Sequence, residues 1–263
     1  MGVESFTAGD GCRIAYRLDG PPEASILLLS NSLGTDMDMW LPQLASWKQH
    51  FRVLRYDQRG HGGSDAPPGA YSIDRLTRDA VELLDALAIE VVDFCGLSLG
   101  GMVGQAIAIR EAHRVRRLVL ANTTSFMGPP AGWAARIAQV ASGGMASLAD
   151  ASIERWFTPD FARRSPGAVA QIRDMLLDTS PIGYAGCCAA IRDMDMRPTA
   201  PLIAAETLII AGREDTATPP SHATFLVERI RNARLAELDA AHLSNVECPD
   251  PFGDLVIAFL RAP

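Results

Sequence analysis

The sequence predicts an α/β fold, in which a mostly parallel central sheet carries helices on both faces and an inserted helical cap. Short apolar runs alternate with amphipathic helical stretches up to residue 122 and again from residue 206, which is typical of a parallel sheet covered by helices. The segment between them is rich in Ala, Met, Trp and Pro and shows no comparable strand pattern. We therefore predict a core, residues 1–123 and 204–263, and a helical cap insertion, residues 124–203.

The elements follow one another in the order that this fold requires. Residues 3–8 and 12–18 flank a Gly-Asp-Gly turn and predict a hairpin. The later strands are short apolar runs, which suit strands buried on both faces. We place these strands at 24–32, 51–57, 91–95, 116–122, 206–215 and 233–238. Helical spacing of apolar residues predicts helices at 74–88, 101–113, 137–157, 167–179, 221–230 and 251–262.

Composition excludes several classes of partner. The net charge of -7 and the lack of a Lys/Arg cluster argue against nucleic acid and anionic membranes. No apolar run approaches the roughly 18 residues of a membrane span, and the N-terminus does not resemble a signal peptide. The five cysteines are irregularly spaced and lack metal-ligand spacing, so we expect reduced thiols in the cytoplasm and no metal site. The adjacent pair Cys187 and Cys188 is interpreted as apolar packing in a buried helix.

The predicted nucleophile is Ser98, in the G-x-S-x-G motif of residues 96–100. The motif directly follows a predicted strand and opens a predicted helix, which is the setting of a nucleophile elbow. Such a sharp turn excludes bulky neighbours, a condition that Gly96, Gly100 and Gly101 satisfy. The free amides and the dipole of the helix N-terminus favour developing negative charge. A serine that merely caps the helix is the alternative interpretation.

A nucleophilic serine needs a general base, and the base needs a carboxylate that orients it. His242 is the predicted base, because it lies in the loop between the last strand and the last helix, at the carboxyl edge of the sheet. His61 lies in a Gly-rich turn after a strand and is the other histidine near the predicted pocket. The remaining histidines are assigned to helices or helix ends: His50, His113 and His222.

Asp215 is the predicted acid of the triad, because it also leaves the carboxyl end of a strand. The chain order is then Ser98, Asp215, His242, as expected for an elbow-type hydrolase. The alternatives for the acid, with similar chemistry and less favourable placement, are Asp239, Asp193 and the neighbouring Glu214.

The oxyanion hole needs two backbone amides. One is expected from Leu99, directly after the nucleophile, and the other from the loop after the first buried strand, where Leu33 is the candidate. Many related sequences carry His-Gly where this chain has Asn31 and Ser32, so the second donor rests on the loop position alone.

The whole chain resembles α/β-hydrolases with a helical cap. The motifs at 57–64, 96–100, 212–215 and 241–242 are shared across that superfamily and imply Ser-His-Asp chemistry without choosing a substrate.

Three more specific segments resemble 3-oxoadipate enol-lactonases of the β-ketoadipate pathway of aromatic catabolism. These segments are SNSLGTDMDMW at 30–40, GYAGCCAAIRDMDMR at 183–197 and AAHLSNVECP at 240–249. The resemblance implies hydrolysis of a five-membered enol-lactone that bears a free carboxylate, with 3-oxoadipate as product and no cofactor. The expected partner is therefore a small anionic lactone; the sequence carries no signal of oligomeric state.

An anionic substrate favours an arginine in the pocket. Arg136 and Arg192 lie in the predicted cap and Arg59 lies near the core loops, although each also suits a surface position. Trp133 and Trp40 are candidate apolar walls and equally candidates for core packing. We take Trp133, Arg136 and Trp40 as the candidate substrate-binding residues.

Other functions remain open on the same scaffold. A carboxylesterase, a perhydrolase-like enzyme or a carbon–carbon bond hydrolase would keep the triad and change the substrate. Dehalogenases and epoxide hydrolases use an aspartate at the elbow, so Ser98 disfavours them. A ligand receptor that keeps the triad for sensing is the alternative from another class, but no partner-binding extension supports it.

Overall fold

A computed structural model describes residues 2–262 of the chain, and within them eight strands form one sheet. The strands are β1 (Glu4–Thr7), β2 (Arg13–Asp19), β3 (Ile26–Ser30), β4 (Arg52–Tyr56), β5 (Val92–Leu97), β6 (Val115–Ala121), β7 (Glu206–Gly212) and β8 (Ala233–Leu238). Their order in the sheet is β1-β2-β4-β3-β5-β6-β7-β8. β1 and β2, and β2 and β4, pair antiparallel; every later pair is parallel.

The helices of the described chain fall into two groups. The core contains α1 (Leu41–Trp47), α2 (Ile73–Ala86), α3 (Leu99–Arg110), α9 (Pro220–Arg229), α10 (Ser244–Glu247) and α11 (Pro249–Leu260). Between β6 and β7 lie α4 (Pro130–Gly143), α5 (Ala149–Trp156), α6 (Pro159–Arg164), α7 (Pro166–Asp178) and α8 (Pro181–Arg192). In the core, α3 packs on β3, β5 and β6, α1 packs on α11, and α9 packs on β7 and β8.

The predicted α/β fold with a mostly parallel sheet is confirmed. The single helical stretch predicted at 137–157 is wrong in detail, because α4 ends at Gly143 and Gly144 adopts a φ of 64°. A glycine in this left-handed conformation commonly ends a helix. The prediction also missed α1, whose short length of seven residues leaves little periodicity to detect.

The sheet buries long apolar runs in its central strands. Leu27, Leu28 and Leu29 of β3 are fully buried, as are Leu118 and Val119 of β6. Such strands are covered on both faces, which explains why their sequences show no alternation. Because β3 to β8 are parallel, the loops after their carboxyl ends lie along one edge, and these loops carry the candidate site.

Two further observations concern membrane-spanning helices and the state of the cysteines. Within residues 2–262, no helix is both long enough and apolar enough to cross a membrane. All five cysteines are free thiols, and Cys187 and Cys188 are buried in α8.

Candidate active site

Ser98 lies at the turn between β5 and α3, with φ 56° and ψ -115°. Non-glycine residues rarely adopt a positive φ, and a residue held there marks local strain. The turn is possible because its neighbours lack side chains. A Cβ on Gly96 would lie 2.2 Å from the carbonyl oxygen of Gly100, and one on Gly100 would lie 2.0 Å from the carbonyl oxygen of Ser30.

His242 and Asp215 meet beside this turn. His242 follows β8, Asp215 follows β7, and the His242 Nδ1 lies 2.8 Å from the Asp215 Oδ2. Both side chains are almost completely buried. This contact fixes the ring so that its other nitrogen, Nε2, is available to a hydroxyl, as a Ser-His-Asp site requires.

Four further donor groups, from three residues, hold the Asp215 carboxylate. Thr218 donates to it through its backbone N–H (2.9 Å) and its hydroxyl (2.7 Å), and the Asn122 amide donates to Oδ2 (2.9 Å). The backbone N–H of Ala217 donates to Oδ1 (2.8 Å). Burial alone would raise the pKa of Asp215, but the His242 charge and these hydrogen bonds outweigh burial and lower its pKa to about 2. Asp215 therefore stays ionised and can stabilise an imidazolium.

The alternative acids lie elsewhere. Asp239 pairs with Arg213 and Asp193 pairs with Arg192, both at the surface. Glu214 is exposed. Of the four acidic residues considered from the sequence, the structure brings only Asp215 to His242.

Ser98 and His242 line one cavity of about 270 Å³ between the core and the helices inserted after β6. Within residues 2–262 no hydrogen bond joins the Ser98 hydroxyl to the imidazole, an arrangement common in unliganded sites that tighten when substrate binds. The volume is slightly below the range of about 300–1,000 Å³ for drug-sized ligands. The cavity therefore suits a small substrate.

Leu33 and Leu99 supply amides beside Ser98. Within residues 2–262 neither backbone N–H has a hydrogen-bond acceptor, whereas the adjacent Gly100 N–H is bonded to the carbonyl of Asn31. Leu33 also lines the cavity. Two amides of this kind are what an oxyanion hole needs.

His61 does not enter the cavity but holds the loop that carries Leu33. Its Nε2 accepts the Gly34 N–H at 3.0 Å, and its Nδ1 lies 3.3 Å from the carbonyl of Arg59. Burial lowers the pKa of His61 to about 4. A neutral ring that donates from Nδ1 and accepts at Nε2 fits both partners.

The wall that the inserted helices contribute to the cavity is basic. Arg136 of α4 and Arg155 of α5 both line it, together with Tyr184 of α8 and Trp133 of α4. The Arg136 guanidinium lies 5.7 Å from the Trp133 ring centre and 5.8 Å from that of Tyr184. Burial, and then the charge of Arg136, lower the pKa of Arg155.

These polar groups are incompletely paired. Among residues 2–262, neither Arg136 nor Arg155 forms an ion pair with a carboxylate, and the buried Arg136 Nε and Tyr184 hydroxyl lack hydrogen-bond partners. Arg136 donates to the Ser152 hydroxyl at 3.0 Å and Arg155 to the carbonyl of Ala151 at 3.2 Å. Buried donors without acceptors are costly, so this wall is suited to an anionic ligand.

The structure places Trp40 outside the cavity, which corrects its assignment as a substrate wall. Its ring is fully buried, 5.9 Å from Trp47 and 6.1 Å from Phe252, and its indole N–H donates to the Asn31 side chain at 2.8 Å. Trp40 therefore packs in the core and anchors the loop after β3. The other arginines considered are also engaged elsewhere, Arg59 with Asp79 and Arg192 with Asp193.

Arg155, Tyr184 and Asn122 were not predicted from the sequence. Arg155 and Tyr184 come from separate inserted helices, and no local motif marks them. Asn122 had a detectable signal, because it ends a predicted strand of the sheet, as Asp215 does. Its φ of 44° also belongs to a conformation that Asn tolerates better than most residues.

Comparisons with known proteins agree with this fold. Residues 26–249 match a family model described as the alpha/beta hydrolase fold. 3-Oxoadipate enol-lactonase 2 of Acinetobacter baylyi is 39% identical over 258 residues, which cover 98% of this chain and 96% of that protein. The crystal structure of the enol-lactonase from Burkholderia xenovorans LB400 matches with a TM-score of 0.97 at 45% identity, covering 98% of this chain and 100% of that one. A hydrolase structure from Pseudomonas aeruginosa PA01 matches with a TM-score of 0.97 at 46% identity, covering 99% of each chain.

The chain therefore belongs to the α/β-hydrolase family, and its class of activity is the hydrolysis of esters or lactones. Within that family it groups with the 3-oxoadipate enol-lactonases, which confirms the resemblance inferred from residues 30–40, 183–197 and 240–249.

Proposed function

We propose that this protein hydrolyses 3-oxoadipate enol-lactone to 3-oxoadipate through an acyl-enzyme on Ser98. The observation that carries the proposal is the small cavity lined by Ser98 and His242 from the core and by Arg136 and Arg155 from the inserted helices. A lactone that bears a carboxylate is complementary to this cavity. Its electrophilic ring carbonyl can face Ser98, and its anionic group can face the arginines.

In the proposed acylation, Ser98 Oγ attacks the ring carbonyl while His242 Nε2 takes the hydroxyl proton. The Leu33 and Leu99 amides donate to the tetrahedral oxyanion, and ionised Asp215 stabilises the imidazolium. Collapse breaks the ring C–O bond and expels an enolate oxygen, which receives the proton held by His242. The resulting enol tautomerises to the ketone.

Deacylation repeats these roles with water. His242 removes a proton from water as it attacks the ester carbon on Ser98, and the proton returns to Ser98 Oγ as the acyl group leaves. One lactone and one water give one 3-oxoadipate. No step requires a metal or an organic cofactor.

We propose further that Arg136, with Arg155 and the Tyr184 hydroxyl, holds the substrate carboxylate. The support is their place on the wall that the inserted helices contribute and, within residues 2–262, the lack of hydrogen-bond partners for the Arg136 Nε and the Tyr184 hydroxyl. A guanidinium can hold a carboxylate through two parallel hydrogen bonds. Trp133 is proposed to pack against the lactone ring beside Arg136. The reaction is proposed to occur in the cytoplasm, where the five free thiols stay reduced.

The direct test compares hydrolysis of 3-oxoadipate enol-lactone with that of p-nitrophenyl acetate and longer p-nitrophenyl esters. We expect kcat/KM for the lactone to exceed that for every simple ester. Ser98→Ala should fold normally and lose about 10⁴-fold to 10⁶-fold in kcat on all substrates. Efficient ester cleavage without lactone cleavage would make the protein a carboxylesterase, and a Ser98→Ala variant with near-wild-type rates would remove Ser98 from the mechanism.

The carboxylate site has a separate test. Arg136→Met should raise KM for the lactone about 10-fold to 100-fold, since a hydrogen bond to a charged group contributes about 1.5–3 kcal/mol. The same variant should leave kcat/KM for neutral p-nitrophenyl acetate within about threefold of wild type. Arg163→Met, on exposed α6, is the matched control and should change neither value. Equal losses on both substrates would show that Arg136 does not select the anion.

A further inference from the structure

Glu247 lies at the end of α10, five positions after His242, with a side chain that is only 9% exposed. Its Oε2 accepts the backbone N–H of Ala241 at 3.0 Å. Its Oε1 accepts the backbone N–H of Thr158 at 3.3 Å and also the Thr158 hydroxyl. One carboxylate thus bonds the residue before His242 to the segment between α5 and α6.

A second contact joins the same two segments. The backbone N–H of Leu243, directly after His242, donates to the carbonyl of Trp156 at 3.1 Å. Trp156 ends α5 and lines the cavity beside His242. Of the two neighbours of His242 in the chain, Leu243 is bonded directly to Trp156, and Ala241 is linked to Thr158 through the Glu247 carboxylate.

Thr158 also connects Glu247 to α6. Its hydroxyl donates to Glu247 and accepts the Phe161 N–H at 3.2 Å, so it caps the N-terminus of α6. The adjacent groove supplies no cation to Glu247. Its charged side chains are Asp36, Asp38, Arg164, Asp174 and Asp178, and within residues 2–262 none forms an ion pair with Glu247. The carboxylate is thus held by donors from the catalytic loop and the inserted helices.

We infer that Glu247 is a positioning residue that holds His242 in place to act on Ser98. It can do so only while the inserted helices are docked on the core. The inference rests on the proposed catalytic roles of Ser98, His242 and Asp215. The imidazole must keep its 2.8 Å contact with Asp215 and present Nε2 to Ser98 at the same time. Because Ala241 and Leu243 fix the backbone on either side of the ring, a shift of residues 156–158 moves the base.

The principal test is Glu247→Gln, measured with both 3-oxoadipate enol-lactone and p-nitrophenyl acetate. The amide replaces one accepting oxygen by an N–H₂ group, which opposes a backbone N–H. We expect kcat to fall about 10-fold to 100-fold on both substrates with KM within threefold, as displacement of a catalytic group by about 1 Å predicts. Glu228→Gln, an exposed substitution in α9, is the matched control and should match wild type.

Variants of Thr158 test the positioning role without changing the charge of Glu247. Thr158→Val keeps the carboxylate but removes the hydroxyl that donates to it, whereas Thr158→Ser keeps the hydroxyl. We expect Thr158→Val to lower kcat for the lactone and for p-nitrophenyl acetate, with KM within threefold, because a loosened catalytic loop presents His242 less accurately to Ser98. Thr158→Ser should restore both values.

Three outcomes distinguish the positioning role of Glu247 from the proposed catalytic function of Ser98. Wild-type kcat in Glu247→Gln and Thr158→Val, with Ser98→Ala inactive, overturns the positioning role alone. Loss of thermal stability in both variants without loss of kcat gives Glu247 a structural role and also overturns the inference. An active Ser98→Ala variant overturns the proposed catalytic function, and the inference with it.

Discussion

Two buried histidines near the cavity differ in the groups that contact their rings. His242 contacts the ionised Asp215, which stabilises a positive charge on the ring. Among residues 2–262, the hydrogen-bond partners of the His61 ring are the Gly34 N–H and the carbonyl of Arg59, and burial lowers its pKa to about 4. At the residue scale, the partner of each imidazole determines whether it can act as a base or serve as a fixed neutral acceptor.

His61 makes the stability of the fold depend on pH. Its folded pKa of about 4 lies below the unfolded value of 6.5, so the unfolded chain binds the extra proton between those values. Stability is therefore complete above pH 6.5 and is lost as the pH falls toward 4, by roughly 2 kcal/mol between pH 7 and pH 5 for this residue.

The measurement is the free energy of unfolding in urea at several pH values for wild type and His61→Gln. The amide oxygen of Gln can still accept from Gly34 but does not titrate, so the variant should show a flatter dependence on pH. His113→Gln, at an exposed position, should follow wild type. Parallel curves for wild type and His61→Gln would contradict the assigned pKa.

The residues of the predicted triad were accessible to sequence reasoning because each follows a strand. Parallel strands bring their carboxyl ends to one edge, so Ser98, Asp215 and His242 converge once the strands are recognised. Arg155 and Tyr184 were not accessible in this way. Their positions depend on how α5 and α8 dock on the core, and the helical period alone does not specify docking.

At the scale of elements, the turn between β5 and α3 depends on close backbone approach. A Cβ on Gly100 would lie 2.0 Å from the carbonyl oxygen of Ser30, at the end of β3. The loop that carries Leu33 begins directly after Ser30. The spacing between Ser98 and Leu33, the proposed nucleophile and second oxyanion donor, is thus set by contact between two backbones.

Gly100→Ala should therefore lower both stability and activity. We expect a loss of about 1–3 kcal/mol or more in unfolding free energy, because backbone atoms cannot rotate away as a side chain can. Urea unfolding and kcat on p-nitrophenyl acetate measure the two effects. Gly167→Ala in α7, where a Cβ meets nothing within 4 Å, is the control and should be neutral or slightly stabilising. A Gly100→Ala protein as stable and active as this control would rule out the close approach.

The elements were predicted well where the apolar period was long and poorly where it was interrupted. β3, β5, β6 and β7 are apolar runs bounded by polar or Gly-rich turns, and all were placed within a few residues. The division of α4 from α5 was missed although the Gly143-Gly144 pair was visible. Amphipathic spacing is present on both sides of these glycines, so periodicity alone does not reveal the break between the two helices.

At the scale of the whole molecule, the inserted helices meet the core through a pair of glycines. A Cβ on Gly183 of α8 would lie 2.1 Å from the Cα of Gly60, in the loop after β4. No side chain fits between these two backbones. Together with the contacts of Glu247 and Leu243, this glycine pair holds the helical segment above Ser98.

Gly183→Ala should push α8 away from the core and widen the cavity. We expect kcat/KM for the lactone to fall about 10-fold to 100-fold, because Arg136 and Ser98 no longer span one small substrate. Faster cleavage of the inserted segment in limited proteolysis should accompany the loss. Gly167→Ala, on a helix of the same segment, controls for a methyl group alone. Unchanged kcat/KM in Gly183→Ala would show that this contact does not set the cavity.

The glycine pair also bears on how this protein can be re-engineered. A Cβ on Gly60 would lie 2.3 Å from the Cα of Gly183, and one on Gly183 would lie 2.1 Å from the Cα of Gly60. The main chain therefore limits how far α8 lies from the core, and no residue smaller than glycine can replace either one. Laboratory evolution toward bulkier esters should therefore leave Gly60 and Gly183 untouched. We expect it to accumulate substitutions that replace Trp133 and Trp156, two large side chains of the cavity wall, by smaller residues.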